Sequence, residues 1–537
     1  MSEEFSFRTR EANLERMERE TFDVLVVGGG IVGAGIARDA ASRGLTTALV
    51  ERGDFASGTS GKTSRLIHGG LRYLRNFRLG LVRQAVRERD LLVTRAPALV
   101  HPLPFVLPAY KDRGPSRRLL RFGLFLYDFL SRDKILPRRV WLRPEEAVAR
   151  EPRLATGGLA GAAIYYDAWA DDARLVLAVV RDASRAGAVV ANHAEVSTLV
   201  RDGGRVSGAD VRDRIADRGI HVRASIVVNA TGVWLDRLRA PREKPTLRPT
   251  KGIHIFLPRA KVGNRQALAL TAPRDGRVVF VLPWGGLTLV GTTDTDFRGD
   301  PDEVLPDADD VGYLLEAVND AFPEARAGPE DVVSAYAGLR PLLRRGADVS
   351  ESEVSRGHSV FEDSDGLISV AGGKLTTHRA MAAEVVDLAC VRLRRGVRAR
   401  TARQAFGPTR EPLDAFMGLG FDEESALHLQ GRHSATGVRS VLELPAARER
   451  IEEGIPHVWA DVELALREEM AVTLDDMLVR RLGLFYEAPD QGLAAAPRVA
   501  DRMAGAIGWD PSKVDREVSA YRERVAAHRN FRGLDGR

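Results

Sequence analysis

Three glycines and one acidic residue have the types and the spacing that bind a dinucleotide. Gly28, Gly30 and Gly33 form a G-x-G-x-x-G pattern, and Glu51 follows at the end of the next apolar segment. The first glycine permits a tight turn, the second lets the backbone approach a diphosphate, and the third lets a helix pack closely on a strand. A carboxylate in the position of Glu51 accepts hydrogen bonds from an adenosine ribose.

The segments around these residues predict the elements that must hold them. Residues 21–27 are an apolar, β-rich run that ends at Gly28, and apolar side chains recur at helical spacing within residues 36–41. Residues 46–50 form a second apolar run, which ends at Glu51. These segments give one βαβ unit, which consists of a strand, a glycine turn, a helix, a second strand and an acidic residue. The sequence therefore predicts a Rossmann-type dinucleotide-binding domain.

Two later segments indicate that the dinucleotide is FAD. Residues 226–232 read as a strand that enters a turn of small residues, as in flavoproteins with two dinucleotide-binding folds. Residues 366–374 read as another strand that enters a Gly-Gly turn before a helical run at 380–388. The start of such a helix can point its positive dipole end at the N1/C2=O edge of a flavin. Nicotinamide enzymes do not need the segment at 366–374, which is the third cofactor-binding segment after the βαβ unit and residues 226–232.

Length and composition indicate a globular protein of more than one domain. The 537 residues exceed what one hydrophobic core usually supports. Apolar residues make up 44% and charged residues 28%, which excludes a disordered chain. The single cysteine, Cys390, excludes an internal disulfide framework and a Cys-rich zinc or iron–sulfur module. The sequence contains no spacing typical of a metal site, so no metal is predicted.

The basic residues suggest an anionic partner without naming it. A net charge of +5 could attract anionic lipid, nucleic acid or a small phosphorylated substrate. The sequence contains no motif that reads nucleic acid, so nucleic acid is not a predicted partner. Basic residues between Lys111 and Arg139 flank the apolar stretch 122–130. This pattern fits either a surface that lies on an anionic membrane or a buried helix with solvated ends.

The amino-terminal segment and the hydropathy predict the location of the protein. Residues 1–20 mix Glu with Arg and have no signal-peptide pattern. No apolar run approaches the roughly 20 residues that span a bilayer. Together with the basic cluster at 111–139, these features predict a cytoplasmic protein that is peripheral on the inner face of the cell membrane.

Several blocks of sequence resemble the family of FAD-dependent, respiratory (aerobic-type) glycerol-3-phosphate dehydrogenases. The blocks IHGGLRY at 67–73 and GGKLTT at 372–377 are rarely met outside this family. Others lie at 166–175, 228–234, 251–254, 291–294 and 338–342. The resemblance covers about residues 20–390 and is looser after 400. The chain departs from the family at His378, where Tyr is common, and at Gly61 and Lys62, which replace smaller or hydroxylated residues.

The resemblance implies oxidation of sn-glycerol 3-phosphate to dihydroxyacetone phosphate, with hydride transfer from C2 to N5 of FAD. His254 is the predicted base, because a neutral imidazole can accept the hydroxyl proton at physiological pH. Arg340 is predicted to stabilise the alkoxide that develops at C2. A phosphate dianion offers a handle for charge-assisted hydrogen bonds that orient the substrate. The residues predicted to bind substrate are Arg72, Tyr73, Arg356 and Lys374.

The resemblance also implies which residues contact FAD. They lie in the glycine loop, in the Ser-rich loop and the IHGG block, in the turn after residue 229, and in the Gly-Gly turn before residue 374. The predicted FAD-binding residues are Gly28, Gly30, Gly33, Glu51, Thr59, Ser60, Thr63, Ser64, Leu66, His68, Gly69, Ala230, Gly232, Gly373, Lys374, Leu375 and Thr376.

The predicted fold class is α/β, with three interleaved parts. A Rossmann-type FAD-binding domain of the glutathione-reductase/D-amino-acid-oxidase-like class is followed by an antiparallel-sheet substrate domain and an all-α C-terminal domain. The FAD-binding domain is expected at 20–90, 160–245 and 358–395, the substrate or cap domain at 91–159 and 246–357, and the helical accessory domain at 400–537.

A respiratory quinone is the predicted electron acceptor, and three other functions stay open. A glycerol-3-phosphate oxidase that reduces O2 to hydrogen peroxide would share every residue above. An amino-acid or amine oxidase of the same fold would need an arginine paired to a substrate carboxylate in place of several cations around a phosphate. A non-enzymatic flavin-binding protein would hold FAD without turnover. The sequence also leaves homodimer formation and the role of the C-terminal domain open.

Overall fold

The structure is a computed structural model that describes residues 5–76, 78–112, 114, 116–131, 135–239, 245–344 and 357–532, with the backbone alone at residues 72, 75 and 76. Within these residues the strands are β1 Thr21–Val27, β2 Thr47–Val50, β3 Leu66–Ile67, β4 His101–Tyr110, β5 Val140–Leu142, β6 Leu159–Trp169, β7 Val189–Ala191, β8 Ala194–Asp202, β9 Arg205–Asp213, β10 Arg218–Asn229, β11 Thr250–Pro258, β12 Ala267–Thr271, β13 Val278–Trp284, β14 Leu287–Gly291, β15 Thr295–Asp296, β16 Ser334–Arg340, β17 His358–Glu362 and β18 Ile368–Gly372.

The α-helices of the same residues are α1 Phe7–Arg19, α2 Ile31–Ser42, α3 Leu79–Arg95, α4 Arg117–Leu130, α5 Pro144–Arg150, α6 Asp172–Arg185, α7 Leu235–Leu238, α8 Arg259–Val262, α9 Ala308–Ala321, α10 His378–Arg392, α11 Leu413–Met417, α12 Glu423–Gln430, α13 Ala435–Arg439, α14 Trp459–Glu468, α15 Leu484–Glu487, α16 Ala496–Ile507 and α17 Pro511–Arg529.

The first sheet is the Rossmann-type unit that the glycine pattern predicts. Its strands run in the order β17-β18-β10-β1-β2-β7, and β9 and β8 continue from β10. β1 is parallel to both β2 and β10, and β18 is parallel to β10. Helices α2, α6 and α10 cover one face, while α1 and the β8–β9 hairpin cover the other. Both faces of β1 are therefore buried, which is why its sequence is a continuous apolar run.

The second sheet is mainly antiparallel and follows the order β15-β11-β14-β13-β12-β4-β6-β3, with β16 beside β11 and β5 beside β6. Helix α9 packs on one of its faces. This architecture confirms the predicted fold class. β3 and β6 belong to this sheet, although they fall in segments predicted for the FAD-binding domain. The reason is the long pairing of β6 with β4, from His101 opposite Trp169 to Tyr110 opposite Leu159.

The described residues after 400 form the predicted helical region, and buried ion pairs join it to the first sheet. Arg481 donates to Asp54 at 2.6 Å, and Arg480 donates to Asp54 at 2.5 Å and to Asp476 at 2.8 Å. Asp54, His193 and Asp476 place possible metal ligands within 4.8 Å of one another. The two arginines already neutralise these carboxylates, so the group forms a link between domains, where buried charges need partners.

Helix α4 contains the apolar stretch for which the sequence allowed two interpretations. Its side chains Leu124 and Tyr127 are buried, whereas Phe122, Phe125 and Phe129 are 60%, 52% and 71% exposed. The helix is thus packed on one face only, and the other face presents aromatic rings to the surroundings. Within the part of the chain that the structure describes, no helix is both long and apolar enough to cross a membrane.

Candidate functional site

A cavity of about 430 Å³ extends from the glycine loop of the first sheet to the Gly-Gly turn after β18. Its walls come from both sheets and from the C-terminal helices. The predicted FAD-binding residues that line it are Gly28, Gly30, Glu51, Thr59, Ser60, Thr63, Ala230, Gly232, Gly373, Lys374 and Leu375.

The glycine loop has a backbone that only glycine can supply. Gly28 has a φ of +112°, and a Cβ there would lie 2.6 Å from the carbonyl oxygen of Ala230. A Cβ at Gly33 would overlap the carbonyl oxygen of Gly28. Gly30 caps α2, and Ile31 N donates to Ser60 Oγ at 3.0 Å. Gly30, Ile31 and Val32 at the start of α2 line the cavity, where the positive end of a helix favours a diphosphate.

Glu51 lies at the end of β2 and is bonded into the same loop. Its carboxylate accepts hydrogen bonds from Gly29 N at 2.6 Å and from Gly53 N at 2.8 Å. Burial raises the pKa of Glu51, although both hydrogen bonds oppose the shift. The carboxylate and the glycine cradle together fit a dinucleotide with a ribose near Glu51.

The remaining predicted FAD-binding residues lie behind or beside the cavity wall. Gly33 packs inside the glycine loop, and Leu66 is part of β3. His68 N donates to Thr376 Oγ1 at 3.2 Å, which joins the IHGG block to the GGKLTT block. Gly69 N donates to Tyr127 Oη at 2.9 Å. Tyr127, a side chain on the buried face of α4, thus holds the IHGG loop in place. Ser64 contacts His254, as described below.

His254 stands in a row of residues that crosses the second sheet. Phe280 on β13 lies opposite Gly291 on β14, Gly291 lies opposite His254 on β11, and His254 lies opposite Tyr336 on β16. Side chains of directly opposed residues share one face of a sheet. A Cβ at Gly291 would overlap the His254 ring, so this glycine leaves the space that the imidazole occupies.

The surroundings keep His254 neutral. Its ring stacks on Tyr336 with centroids 4.9 Å apart, and its Nε2 lies 2.8 Å from Ser64 Oγ. Within the described residues, its buried Nδ1 has no hydrogen bond. Burial and the guanidinium groups of Arg340 and Arg65 hold the pKa of His254 well below its usual range. An uncharged imidazole beside a hydroxyl can accept a proton at physiological pH.

Arg340 is the last residue of β16. It lies on the same face of the second sheet as His254, two residues after Gly338. Its guanidinium donates to Asp294 Oδ1 at 3.0 Å, to Thr292 Oγ1 at 2.8 Å and to Thr293 O at 3.0 Å. A Cβ at Gly252 would overlap this guanidinium, so a second glycine of the sheet makes room for it. Arg340 and His254 thus share one face of the second sheet, and the charge of Arg340 contributes to the lowered pKa of the imidazole.

Two of the predicted phosphate-binding residues meet at the far end of the cavity. Lys374 Nζ lies 3.8 Å from the centroid of the Tyr73 ring. Gly70, with a φ of +77°, leaves space for both, because a Cβ there would lie 3.0 Å from Lys374 Nζ. The side chain of Arg72 and the whole of Arg356 lie outside the described residues, so their roles stay predictions.

Several residues of the cavity wall were not predicted from the sequence. Asp302 accepts hydrogen bonds from Trp234 Nε1 at 2.9 Å and from Arg237 at 2.8 Å, and it also pairs with Arg52. The C-terminal helices contribute Asp475, Arg480 and Arg524. No local motif marks these residues, since they reach the cavity only through the packing of distant segments.

Comparisons with known proteins agree with this site. A family model described as FAD dependent oxidoreductase matches residues 23–388, and one described as the C-terminal domain of alpha-glycerophosphate oxidase matches residues 398–514. The glycerol-3-phosphate dehydrogenase of Mycobacterium leprae is 40% identical, over 96% of this chain and 90% of that protein. The aerobic glycerol-3-phosphate dehydrogenase of Staphylococcus saprophyticus is 33% identical, over 96% of both.

The solved structures include a relative of similar length. The structure of the glycerol-3-phosphate dehydrogenase from Bacillus halodurans, complexed with FAD, superimposes with a TM-score of 0.81 at 30% identity. The superposition covers 98% of this chain and 99% of that one.

Proposed function

This chain belongs to the family of FAD-dependent glycerol-3-phosphate dehydrogenases, and on that premise we propose that it oxidises sn-glycerol 3-phosphate to dihydroxyacetone phosphate and passes the electrons to a respiratory quinone. The observation that carries the proposal is a neutral His254 on the same face of the second sheet as Arg340, whose charge helps to lower the pKa of the imidazole. Gly338 on that face packs against Lys62, which lines the FAD cavity. A base and a cation side by side suit the removal of a proton from an alcohol.

The roles of the side chains follow from their positions. FAD, when bound, accepts the hydride that leaves C2 of the substrate. The imidazole of His254 takes the proton of the C2 hydroxyl, and the guanidinium of Arg340 stabilises the negative charge that develops on that oxygen. Lys374, Tyr73 and Arg72 hold the phosphate, which fixes the position of C2. Ser64 orients the imidazole through its hydroxyl.

Anaerobic bleaching of the flavin tests the proposal. We expect the purified protein to be yellow and to lose its flavin absorption when sn-glycerol 3-phosphate is added without O2. The bleached protein should recover its colour faster with a soluble quinone than with O2. Bleaching by N-methyl or D-amino acids alone would favour an amine or amino-acid oxidase, and stoichiometric peroxide in air would favour an oxidase. A yellow protein that no substrate bleaches would contradict an enzymatic role.

The exposed face of α4 supports a peripheral position on an anionic membrane. Phe122, Phe125 and Phe129 recur at helical spacing on this face, and they are half exposed or more. Arg117 and Arg121 lie exposed on the same helix, where they can meet anionic lipid headgroups. An apolar patch ringed by cations fits a bilayer surface, and a quinone dissolved in that bilayer would meet the protein on this exposed face of α4, whose buried side contacts the IHGG loop through Tyr127.

Removing the three aromatic rings should weaken membrane binding strongly. Each phenylalanine that leaves water stabilises the bound state by about 1.5 kcal/mol or more, so a triple Phe→Ser variant at 122, 125 and 129 should bind phosphatidylglycerol vesicles at least about 100-fold more weakly. Co-sedimentation with vesicles measures the change. Leu427→Ser is the matched control, because Leu427 is 59% exposed on α12. Equal sedimentation of the triple variant and the wild type would rule out this surface.

A further inference from the structure

Tyr336 contacts the imidazole of His254 and also holds the loop that contacts that imidazole. The tyrosine lies on β16 and is 2% exposed, and its ring stacks on the His254 ring at an interplanar angle of 15°. Its hydroxyl donates to the carbonyl oxygen of Thr63 at 2.7 Å. The next residue, Ser64, places its Oγ 2.8 Å from Nε2 of His254. These four residues therefore form a closed ring of contacts that includes the imidazole.

The same loop is bonded to the first residue of α6, a helix that covers the first sheet. Asp172 Oδ2 accepts from Thr63 N and from Thr63 Oγ1, both at 2.9 Å. Asp172 is 1% exposed, and the first turn of a helix suits a carboxylate because the helix start favours negative charge. Thr63 Oγ1 in turn accepts from Arg65 N at 2.9 Å. The backbone and the side chain of Thr63 are thus both fixed by hydrogen bonds.

Thr63 also lines the FAD cavity, so this loop connects the cavity wall with the imidazole. Tyr336 reaches Thr63 from the second sheet, and Asp172 reaches it from a helix of the first sheet. Hydrogen bonds restrict both the distance and the direction between the groups that they join. The loop therefore fixes how the imidazole on one sheet is placed relative to the cavity beside the other.

Few other contacts direct the imidazole ring. Its Nδ1 is buried and makes no hydrogen bond within the described parts of the chain. Ser64 contacts one edge of the ring, and Tyr336 covers one of its faces. A base must lie within hydrogen-bond reach of the proton that it takes, and a small misplacement slows a reaction strongly. The residues that direct the ring should therefore affect the rate.

We propose that Tyr336 is a positioning residue for the base. Its ring sets the plane of the His254 imidazole, and its hydroxyl, through Thr63, holds Ser64 against Nε2. The proposal rests on the proposed function, in which His254 takes the proton of the C2 hydroxyl. Tyr336 exchanges no proton with the substrate and acts only through its neighbours. The bond from Thr63 to Asp172 connects this arrangement to the domain that binds FAD.

The rate of flavin reduction tests the proposal. The holoenzyme is mixed with sn-glycerol 3-phosphate without O2, and the loss of flavin absorption gives the rate constant of reduction and the dissociation constant of the substrate. Tyr336→Phe keeps the stacked ring but loses the bond to Thr63. We expect this variant to reduce flavin about 10-fold to 100-fold more slowly. The substrate dissociation constant should not change, because the predicted phosphate-binding residues are intact.

A double variant shows whether Tyr336 acts through Ser64. Ser64→Ala removes the hydroxyl that contacts Nε2 and should also slow flavin reduction. If the two residues direct the imidazole as one unit, adding Tyr336→Phe to Ser64→Ala should slow reduction by less than about twofold. A wild-type rate in either single variant overturns the proposal, and so do losses that multiply in the double variant.

Tyr521→Phe is the matched control. Tyr521 is also 2% exposed, and its hydroxyl donates to the backbone carbonyl of Gln491 at 2.5 Å. Both Tyr→Phe variants lose one buried hydrogen bond and should unfold at a lower temperature than the wild type, but Tyr521→Phe should reduce flavin at the wild-type rate. Equal rate losses in the two variants would assign the effect to stability and overturn the proposal. A wild-type protein that sn-glycerol 3-phosphate does not bleach would instead contradict the proposed function.

Discussion

Replacement of His254 by alanine should lower kcat by about 10²–10⁴ while FAD stays bound. The imidazole is the group in the described site that combines neutrality at physiological pH with a position beside Arg340. In the proposed mechanism its loss removes the acceptor of the hydroxyl proton but leaves the glycine loop and Glu51 in place. Steady-state kinetics with a dye acceptor, together with the flavin absorbance of the purified variant, measure the two effects separately.

The control for His254 must account for the space that the ring fills. His254→Gln keeps most of the volume next to Tyr336 and should be nearly as inactive as the alanine variant. His221→Ala, at an exposed histidine of β10 that pairs with Asp210, should keep wild-type kinetics. A glutamine variant with wild-type kcat would show that the imidazole packs in the site without acting as a base.

The pH profile provides an independent check on the same residue. Burial and Arg340 keep the pKa of His254 well below its usual value, so the base is neutral over the physiological range. As pH falls, activity should stay constant through pH 6.5 and should decrease only when the pH approaches the lowered pKa, because protonation removes the base.

Local spacing was sufficient to predict the dinucleotide half of the site. Gly28, Gly33 and Glu51 are close in sequence, and the turn that they form depends on steric limits that any strand-turn-helix unit shares. The sheets and the helical C-terminal domain also followed from the pattern and the resemblance. His254 and Arg340 could be proposed from the family blocks, and the structure brings them together.

The parts that could not be predicted depend on contacts between distant segments. Nothing in the glycine loop or the Ser-rich loop indicates that Asp475, Arg480 and Arg524 line the same cavity, since only the packing of the C-terminal helices brings them there. The free space that Gly291 leaves for the His254 ring depends on the register between β11 and β14. Helix α4 was ambiguous for the same reason, because its sequence shows apolar residues over most of its surface but does not show which of them pack against the rest of the protein.

Replacement of Arg340 by alanine should impair both turnover and substrate affinity. Loss of a donor that stabilises a developing oxyanion costs about 10²–10³ in kcat. In the proposed mechanism the guanidinium also supplies positive charge beside the hydroxyl end of the substrate, so KM for sn-glycerol 3-phosphate should rise. Arg340→Lys keeps the charge but loses the fork that reaches Thr292 and Asp294 together, and it should recover only part of the activity.

The pH dependence distinguishes a role of Arg340 in the reaction from one in folding. Arg340 is one of the groups that lower the pKa of His254, so its removal should raise that pKa toward 6.5. The acidic decline of kcat/KM should then appear at a higher pH in Arg340→Ala than in the wild type. Arg248→Ala, which breaks the neighbouring pair with Asp296, should leave the profile unchanged.

An alternative explanation of a low rate in Arg340→Ala is the carboxylate that it leaves behind. Asp294 loses its Arg340 partner, and the altered charge balance near the site would also disturb the imidazole. Arg340→Ala combined with Asp294→Asn removes that charge. If the double variant regains wild-type kcat, Arg340 serves only to neutralise Asp294. A double variant that stays about 10²-fold slow assigns the effect to the guanidinium itself, acting on the oxygen from which His254 takes the proton.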